Sequence, residues 1–150
     1  MTQTFTDLLY HTVFSTKERR PLLDDEIFPE LTHVIGGILH DRNGCLLECN
    51  AMPEHIHLLA VFPPTIEVAK MVSEIKSLSS GWVHRRFGNS KPFAWQNGYS
   101  CFTVGAGDKI RVITYIRGQQ EHHRVKTFED EYLEFLQRAG KTYDPRYVFD

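Results

Sequence analysis

The chain has 150 residues, of which 41% are hydrophobic and 24% charged, and this composition predicts one compact domain over residues 1–150 with an apolar core. Its formal net charge of −2 argues against a protein that coats duplex DNA through charge alone, because phosphate contacts need an excess of Lys and Arg. The sequence shows no bilayer-length apolar run and no signal-peptide pattern, so we expect a cytoplasmic protein without a membrane partner.

The first half of the chain predicts a strand, a helix and two further strands. Residues 8–16 mix β-branched and aromatic side chains, as strands do. Asp24 or Asp25 can cap a helix whose apolar residues keep helical spacing until Asn43 and Gly44. Gly36 and Gly37 weaken the propensity of this helix, and we expect that they let it pack closely against the sheet. Residues 45–50 and 55–62 then predict an antiparallel pair of strands with a tight connection.

The third predicted strand carries two histidines separated by one residue. Successive side chains of a strand point to opposite faces, so His55 and His57 share one face while Ile56 and Leu58 are buried on the other. Two adjacent imidazoles on a rigid strand make half of a metal site. The alternative is that these histidines lie on a solvated face of the sheet.

The second half predicts a helix, a strand and further helices. A regular apolar stripe begins at Thr65 and continues to Trp82, and residues 98–104 predict a fourth strand. Gly105-Ala106-Gly107 is either an ordinary turn or a hinge that lets the next helix swing. The last helix is predicted from Phe128 to Arg138, begins with a capping-box-like pattern, and is expected to be structural. The aromatic residues of the tail predict that it docks on the domain rather than being disordered.

This order of elements predicts the fold class. Strand, helix, strand, strand, helix, strand and helix match an α+β, ferredoxin-like (split βαβ) antiparallel sheet. We expect helices on one face and an additional C-terminal helix that bears a tyrosine. Three cysteines, Cys45, Cys49 and Cys101, lack a paired spacing, so we expect them to be reduced and mostly buried.

Residues 109–123 are interpreted as one helix with a polar stripe. Arg111, Tyr115, Gln119 and His122 share this stripe, and Val112, Ile113 and Ile116 form an apolar arc. A helical tyrosine is commonly a half-buried core residue with a wet hydroxyl. The polar neighbours favour a functional hydroxyl at Tyr115.

Basic residues form local clusters in an otherwise nearly neutral chain. Acidic residues concentrate elsewhere, at 24–26 and 129–131, which predicts a separate basic groove, although such clusters are often only solvated surface. The candidate phosphate contacts are Lys17, Arg19, Arg20, Lys76, Arg85, Arg86 and Arg111.

Taken together, these segments resemble the small tyrosine transposases of bacterial insertion sequences, which use a His-hydrophobic-His (HUH) motif on single-stranded DNA. The resembling segments are residues 11–17, 52–59, 76–80, 95–99 and 115–123. The resemblance implies that His55 and His57 bind a metal ion, that Gln119 completes the set and that Tyr115 is the nucleophile. It also implies that the helix beginning at Thr65 helps to bind DNA, with Ser79 and Ser80 as donors to phosphates.

The chemistry that the resemblance implies is strand cleavage and rejoining at hairpin-marked ends. A phenol is a poor nucleophile at neutral pH and a phosphodiester repels it, so a divalent ion must neutralise the phosphate. Amide and phosphate oxygens favour Mg²⁺ or Mn²⁺. Attack by Tyr115 gives a 5′-phosphotyrosine and a free 3′-hydroxyl, and reversal of this attack joins DNA. Glu54 is a further candidate, as an acceptor for a metal-bound imidazole, although in a regular strand it points to the other face.

The resemblance further implies a homodimer in which the tyrosine helix of one subunit completes the partner's site. Two alternatives keep the sheet but change the function. A domesticated relative or a plasmid nickase has the same chemistry for another purpose, and a non-catalytic RNA-binding-like module uses such a sheet without chemistry. That module has no need for paired histidines and a polar-faced tyrosine.

Overall fold

A computed structural model describes residues 2–150. In this range the strands are β1 (Leu9–Ser15), β2 (Cys45–Met52), β3 (His55–Val61) and β4 (Ser100–Thr103). The α-helices of the same range are α1 (Ile27–Asp41), α2 (Val68–Phe87), α3 (Lys109–Arg117), α4 (Gln119–His122) and α5 (Phe128–Arg138). No helix within this range is both long and apolar enough to span a bilayer.

The strands form one sheet in the order β2-β3-β1-β4, and every neighbouring pair is antiparallel. Strand β3 lies between β1 and β2, which α1 connects, and β1 lies between β3 and β4, which α2 connects. Each βαβ unit is therefore split by an inserted strand, which confirms the predicted α+β class.

Both faces of the sheet are covered. On one face Phe14, Ile56 and Leu58 belong to an apolar core with residues of α1 and α2. On the other face Leu9 and Leu59 pack against Ile116 of α3, and Val13 packs against Phe128 and Tyr132 of α5. The tyrosine-bearing helix is thus accompanied by α4 and α5, and the histidine face of β3 is buried rather than wet.

The observed helix boundaries show which helices the local sequence pattern predicts correctly. Helix α5 spans the predicted residues, and Thr127 Oγ1 accepts a hydrogen bond from the Asp130 backbone N–H at 3.2 Å. Asp24 Oδ1 accepts from the backbone N–H of Ile27 at 2.9 Å, as predicted for the start of α1. Helix α2 begins at Val68 rather than at Thr65, because Glu67 is still extended, with ψ of 143°. Residues 109–123 are not one helix, since α3 ends at Arg117 and α4 begins at Gln119.

Two smaller expectations are wrong. A Cβ added at Gly37 would meet nothing within 4 Å, and at Gly36 it would meet only Leu46 Cδ2 at 3.8 Å, so this pair is not a close contact with the sheet.

All three cysteines are free, but none is fully buried, and Cys45 is exposed at the start of an edge strand. The tail does dock: Phe149 packs near Phe128, and the Asp150 carbonyl accepts from the Gly98 N–H at 2.7 Å.

Candidate active site

The two histidines of β3 lie side by side under the C-terminal helices. Their side chains are 0% exposed, so the interpretation of a solvated sheet face is wrong. The His55 ring stacks on Phe128 with centroids 4.3 Å apart, and the His57 ring lies 6.2 Å from Phe135. Both aromatic residues belong to α5, so the final helix closes over the histidine pair.

Two further residues complete a cluster of potential metal ligands. His123 follows α4, and Glu131 lies in the first turn of α5. One donor atom from each of His55, His57, His123 and Glu131 lies within 4.8 Å of the others. Three imidazoles and a carboxylate match the donors that transition metals prefer in proteins.

The Nε2 atoms of the three imidazoles point toward the Glu131 carboxylate. His57 Nε2 lies 3.0 Å from Glu131 Oε1, and His123 Nε2 lies 3.3 Å from Oε2. His55 Nε2 is 3.7 Å from Oε1 and is the one buried side-chain N or O atom in residues 2–150 without a hydrogen-bond partner. An unpartnered buried nitrogen costs free energy unless something binds its lone pair. The arrangement therefore fits a metal ion.

The Nδ1 atoms of the same three imidazoles, which point away from the cluster, each have a hydrogen-bond partner. His55 Nδ1 lies 2.9 Å from Glu54 Oε1, His57 Nδ1 lies 2.9 Å from His11 Nε2, and His123 Nδ1 donates to the Lys126 carbonyl at 2.8 Å. Such contacts orient a ligating ring. The expectation that Glu54 points to the other face is wrong, because Glu54 lies in the turn before β3 and escapes the strand alternation.

Tyr115 reaches this cluster from α3. Its hydroxyl donates to Glu131 Oε2 and lies 3.4 Å from His122 Nε2, and its ring meets the His57 ring edge-on at 5.9 Å. The hydroxyl of this half-buried side chain thus faces polar groups, while the ring packs against apolar residues such as Phe135. One carboxylate joins the tyrosine hydroxyl to the paired histidines.

Gln119 lies beside the cluster without pointing freely into it. Its side chain is 0% exposed, and its Oε1 accepts from His123 Nε2 at 2.9 Å. Its amide nitrogen donates to the Tyr115 carbonyl at 3.4 Å. The role of Gln119 as a metal ligand stays a prediction, since a bound ion would compete with His123 for that oxygen.

Burial and charge set the protonation states of the cluster. Burial lowers the pKa of His57 to about 4 and that of His11 to about 3, so both rings are neutral at pH 7. Burial opposes ionisation of Glu131, but hydrogen bonds from His123 and His57 outweigh it and lower its pKa. Burial and the neighbouring Glu131 both raise the pKa of Tyr115. A neutral phenol therefore faces a charged carboxylate.

Most of the predicted phosphate contacts have partners inside the chain. Arg19 pairs with Glu129 at 2.9 Å, Arg20 with Glu18 at 2.5 Å, Arg86 with Glu30 at 3.3 Å and Arg111 with Asp108 at 2.9 Å. The predicted separation of acidic from basic residues is wrong at the first of these pairs. Within residues 2–150, Lys17 and Arg85 make no ion pair.

Two polar residues of α2 are occupied by the loop that follows this helix. Lys76 Nζ donates to the backbone carbonyls of residues 96, 97 and 98, at 3.0, 3.2 and 2.5 Å. Ser79 is fully buried, and its hydroxyl accepts from Trp95 Nε1 at 3.0 Å. The expectation that Ser79 donates to phosphates is therefore wrong. Lys76 stays a predicted contact, but a phosphate must displace a carbonyl to reach it.

Sequence reasoning missed three members of the site. His11 and His123 stood in segments that carried the resemblance, yet neither received a role. Glu131 belonged to an acidic helix start, where carboxylates usually serve the helix dipole. No local pattern distinguishes Glu131 from Glu129 and Asp130, because burial alone sets it apart.

Comparison with known proteins decides the family. The model of the family described as "Transposase IS200 like" matches residues 4–119, which include His11, the paired histidines, Tyr115 and Gln119. The chain belongs to the IS200-like transposase family. Members of this family are DNA strand transferases and endonucleases, so the alternative of a non-catalytic binding module is wrong.

Individual relatives of this transposase agree with the family model. The transposase for insertion sequence element IS200 of Salmonella typhimurium is 30% identical over 126 residues, covering 77% of this chain and 79% of the relative. The ISDra2 transposase TnpA of Deinococcus radiodurans is 23% identical over 119 residues, covering 76% and 85%. The family match ends at residue 119, so His123 and Glu131 lie C-terminal to it.

Solved structures share the fold of this transposase. A protein of Deinococcus radiodurans R1 assigned to the transposases superposes with a TM-score of 0.64 at 24% identity, over 79% of this chain and 98% of that one. A REP-associated tyrosine transposase bound to a REP hairpin superposes with a TM-score of 0.60 at 18% identity, over 82% and 73%. Both likenesses support the sheet topology described above.

Proposed function

We propose that this transposase cleaves and rejoins single-stranded DNA beside hairpins, with Tyr115 as the nucleophile and a divalent cation held by His55 and His57. One observation carries the proposal: the Tyr115 hydroxyl and His57 Nε2 contact the two oxygens of the same carboxylate, Glu131. The phenol and the metal-ligand cluster therefore meet one reacting phosphate. The hairpin in the related REP-associated complex supports the choice of substrate.

The donor set supports a transition metal. His55 and His57 are the core of the site, Gln119 is the predicted third ligand, and His123 and Glu131 supply two further donors. Imidazole nitrogens bind Mn²⁺ better than the strictly oxygen-seeking Mg²⁺, so we favour Mn²⁺ of the two predicted ions. Such a cation supplies positive charge that neutralises the phosphate and stabilises the departing oxygen.

The chain's own residues supply the nucleophile and an acceptor for its proton. Glu131 Oε2 already accepts the hydrogen bond of the Tyr115 hydroxyl, so this carboxylate is the acceptor placed to take the phenolic proton as the phenolic oxygen attacks. The phenolic oxygen then forms a bond to phosphorus while the bond from phosphorus to the 3′ oxygen breaks. The 3′ oxygen takes up a proton, and the 5′-phosphate stays on Tyr115. Reversal of the same steps rejoins the strand.

The surface beside α2 supports binding of single-stranded DNA. A cavity of about 510 Å³ between α2 and the loop after Trp95 is lined by Ser77, Ser80 and Tyr99 among others. Hydroxyl groups can donate to phosphates, and an aromatic ring can stack on a base. Of the predicted basic contacts, we expect Lys17 and Arg85 to contribute most, because neither has an ion-pair partner within residues 2–150.

Formation of a covalent adduct tests the proposal. The wild-type protein, incubated with an end-labelled single-stranded hairpin oligonucleotide and Mn²⁺, should give a labelled band that survives denaturation and disappears after protease treatment. The Tyr115→Phe variant should bind the oligonucleotide but form no adduct, since only the attacking oxygen is lost. Tyr147→Phe, which alters a 61% exposed tyrosine outside both the cluster and the cavity beside α2, is the matched control and should keep the adduct. An adduct with Tyr115→Phe contradicts the assignment.

The assembly of the active site is a separate question. A homodimer with exchanged tyrosine helices stays a prediction of the family resemblance. Within one chain, however, Tyr115 already meets His57 and Glu131, so the geometry supports a self-contained site as well. The link before α3 does not require glycine in this arrangement, because Gly105 has φ of −69° and ψ of 150°.

A further inference from the structure

The second nitrogen of His57 faces an unusual partner. His55 is held from outside by a carboxylate and His123 by a backbone carbonyl, which are the partners that ligating histidines ordinarily have. The outer nitrogen of His57 instead lies 2.9 Å from another imidazole nitrogen, Nε2 of His11. His11 comes from β1, in the first of the segments that carried the family resemblance, and the reaction described above gives it no part.

The sheet holds the two rings in this relation. In the antiparallel pairing of β1 with β3, His11 stands opposite Leu59 and Val13 opposite His57, so the two histidines are diagonal neighbours on one face. Their rings stack with centroids 5.2 Å apart and planes 26° apart. The Phe135 ring meets His11 edge-on at 5.4 Å, and His11 is only 8% exposed. Neither ring can turn away without disturbing this packing.

A hydrogen bond between two imidazoles constrains the tautomers of both. One nitrogen must donate and the other must accept, since two neutral rings place only one proton between them. If a cation takes the lone pair of His57 Nε2, the proton of His57 must be on Nδ1, and His11 Nε2 must accept it. His11 then carries its own proton on Nδ1, on a ring that borders a cavity of about 540 Å³ beside Arg111 and Arg138.

We propose that His11 is a positioning residue for the metal ligand His57: once a cation replaces the contact of His57 Nε2 with Glu131, His11 accepts the Nδ1–H of His57 and stabilises the tautomer whose Nε2 lone pair faces the cluster. This inference rests on the proposed metal site but does not depend on the nucleophile or on DNA. His11 touches neither the cation nor the phosphate, and its effect passes through the ring of His57. It should therefore change metal affinity even when no reaction takes place.

Titration of the metal-free protein with Mn²⁺ in the absence of DNA, followed by calorimetry, tests the proposal. His11→Phe keeps a stacked ring but removes the acceptor, so it should weaken Mn²⁺ binding by roughly 10- to 100-fold. His11→Gln retains an acceptor and should bind within roughly threefold of wild type on the same scale. Phe135→Leu, which loosens the same packing without touching a nitrogen, should also stay close to wild type.

The outcomes separate this inference from the proposed function. Failure of the wild-type protein to bind Mn²⁺ overturns the metal site and this inference with it. Wild-type binding with equal affinity in His11→Phe overturns the role of His11 alone, as does an equal loss in His11→Gln and His11→Phe. If His11→Phe does not fold, nitrogen-15 spectra of the wild-type protein with the diamagnetic Mg²⁺ decide. An unprotonated His11 Nε2 that accepts from His57 Nδ1–H supports the proposal, and a proton on His11 Nε2 overturns it.

Discussion

At the scale of single residues, the site depends on which imidazoles stay neutral. His57 and His11 are buried against each other, and burial holds their pKa values at about 4 and about 3, well below the ordinary 6.5. His123 behaves in the opposite way: burial opposes its charge, but the hydrogen bond to Glu131 prevails and raises its pKa. The site therefore combines a carboxylate and an imidazole whose contact favours their charged forms with two rings that resist protonation.

This difference predicts how stability depends on pH in the metal-free protein. As the pH falls, the unfolded chain takes up protons at His11 and His57 before the folded protein does. The free energy of unfolding is therefore highest above pH 6.5 and decreases as the pH drops toward 4. At about 1.4 kcal/mol per pKa unit, His57 alone removes about 3 kcal/mol by pH 4. Glu131 also lowers the stability as the pH falls below 4.5, the ordinary pKa of a glutamate. The stabilising contribution of His123 has the opposite dependence: it is fully present below pH 6.5 and is lost as the pH rises above that value.

Urea unfolding in EDTA at several pH values between 7 and 4 measures this loss. His57→Asn should flatten the curve, because the substituted side chain takes up no proton. His40→Gln is the matched control and should follow the wild-type curve, since the His40 side chain is 89% exposed. A wild-type curve that stays level between pH 6.5 and 4.5 would show that the two rings are not held neutral.

Residue identity alone predicted only part of the site. The His55/His57 spacing and the polar stripe at Tyr115 are short-range patterns, and the structure brings these residues together. His57 and Glu131 are 74 positions apart, and the helix dipole explains an acidic residue in the first turn of α5 without any chemistry. The long-range partner could not be predicted because its role exists only once α5 has folded over the sheet.

At the scale of elements, the break between α3 and α4 falls at Gly118, a residue that weakens helices locally, and a tertiary contact stabilises it. The Asn50 side chain of β2 donates to the Ile116 carbonyl at 2.8 Å and to the Arg117 carbonyl at 3.4 Å. These carbonyls would otherwise accept from the next turn of a continuous helix. The local periodicity of residues 109–123 contains no sign of Asn50. Helix α5, by contrast, begins and ends as predicted because its cap and apolar spacing are local.

Two glycines, one inside α1 and one in the turn after it, should respond oppositely to alanine. A Cβ at Gly44 would lie 2.8 Å from the Val61 carbonyl oxygen and 3.2 Å from that of Leu39, so Gly44→Ala should destabilise the protein by about 2 kcal/mol. Gly37 has open space within the helix, so Gly37→Ala should stabilise it by up to about 1 kcal/mol. Chemical denaturation measures both, and equal effects of the two substitutions would contradict this account of the turn after α1.

At the scale of the whole molecule, the question is whether one chain suffices. Tyr115 and His57 meet in the same chain, with ring centroids 5.9 Å apart. If each chain completes its own site, an equal mixture of Tyr115→Phe and His57→Ala proteins forms no covalent adduct with a hairpin oligonucleotide. The gel assay with each variant alone is the control. Recovery of adduct in the mixture would instead show that subunits exchange their tyrosine helices, as the family resemblance implies.

The burial of the donor residues has a consequence for turnover. His55, His57 and Gln119 have no exposed surface, and Glu131 has 2%. A polynucleotide cannot contact groups buried this way, so we expect α5 to move away before a strand enters and to lose the contact of Phe128 with Val13. We expect this movement of the C-terminal third of the chain to be the rate-limiting step of the reaction. Low concentrations of urea should then raise the turnover rate at saturating DNA before higher concentrations unfold the enzyme.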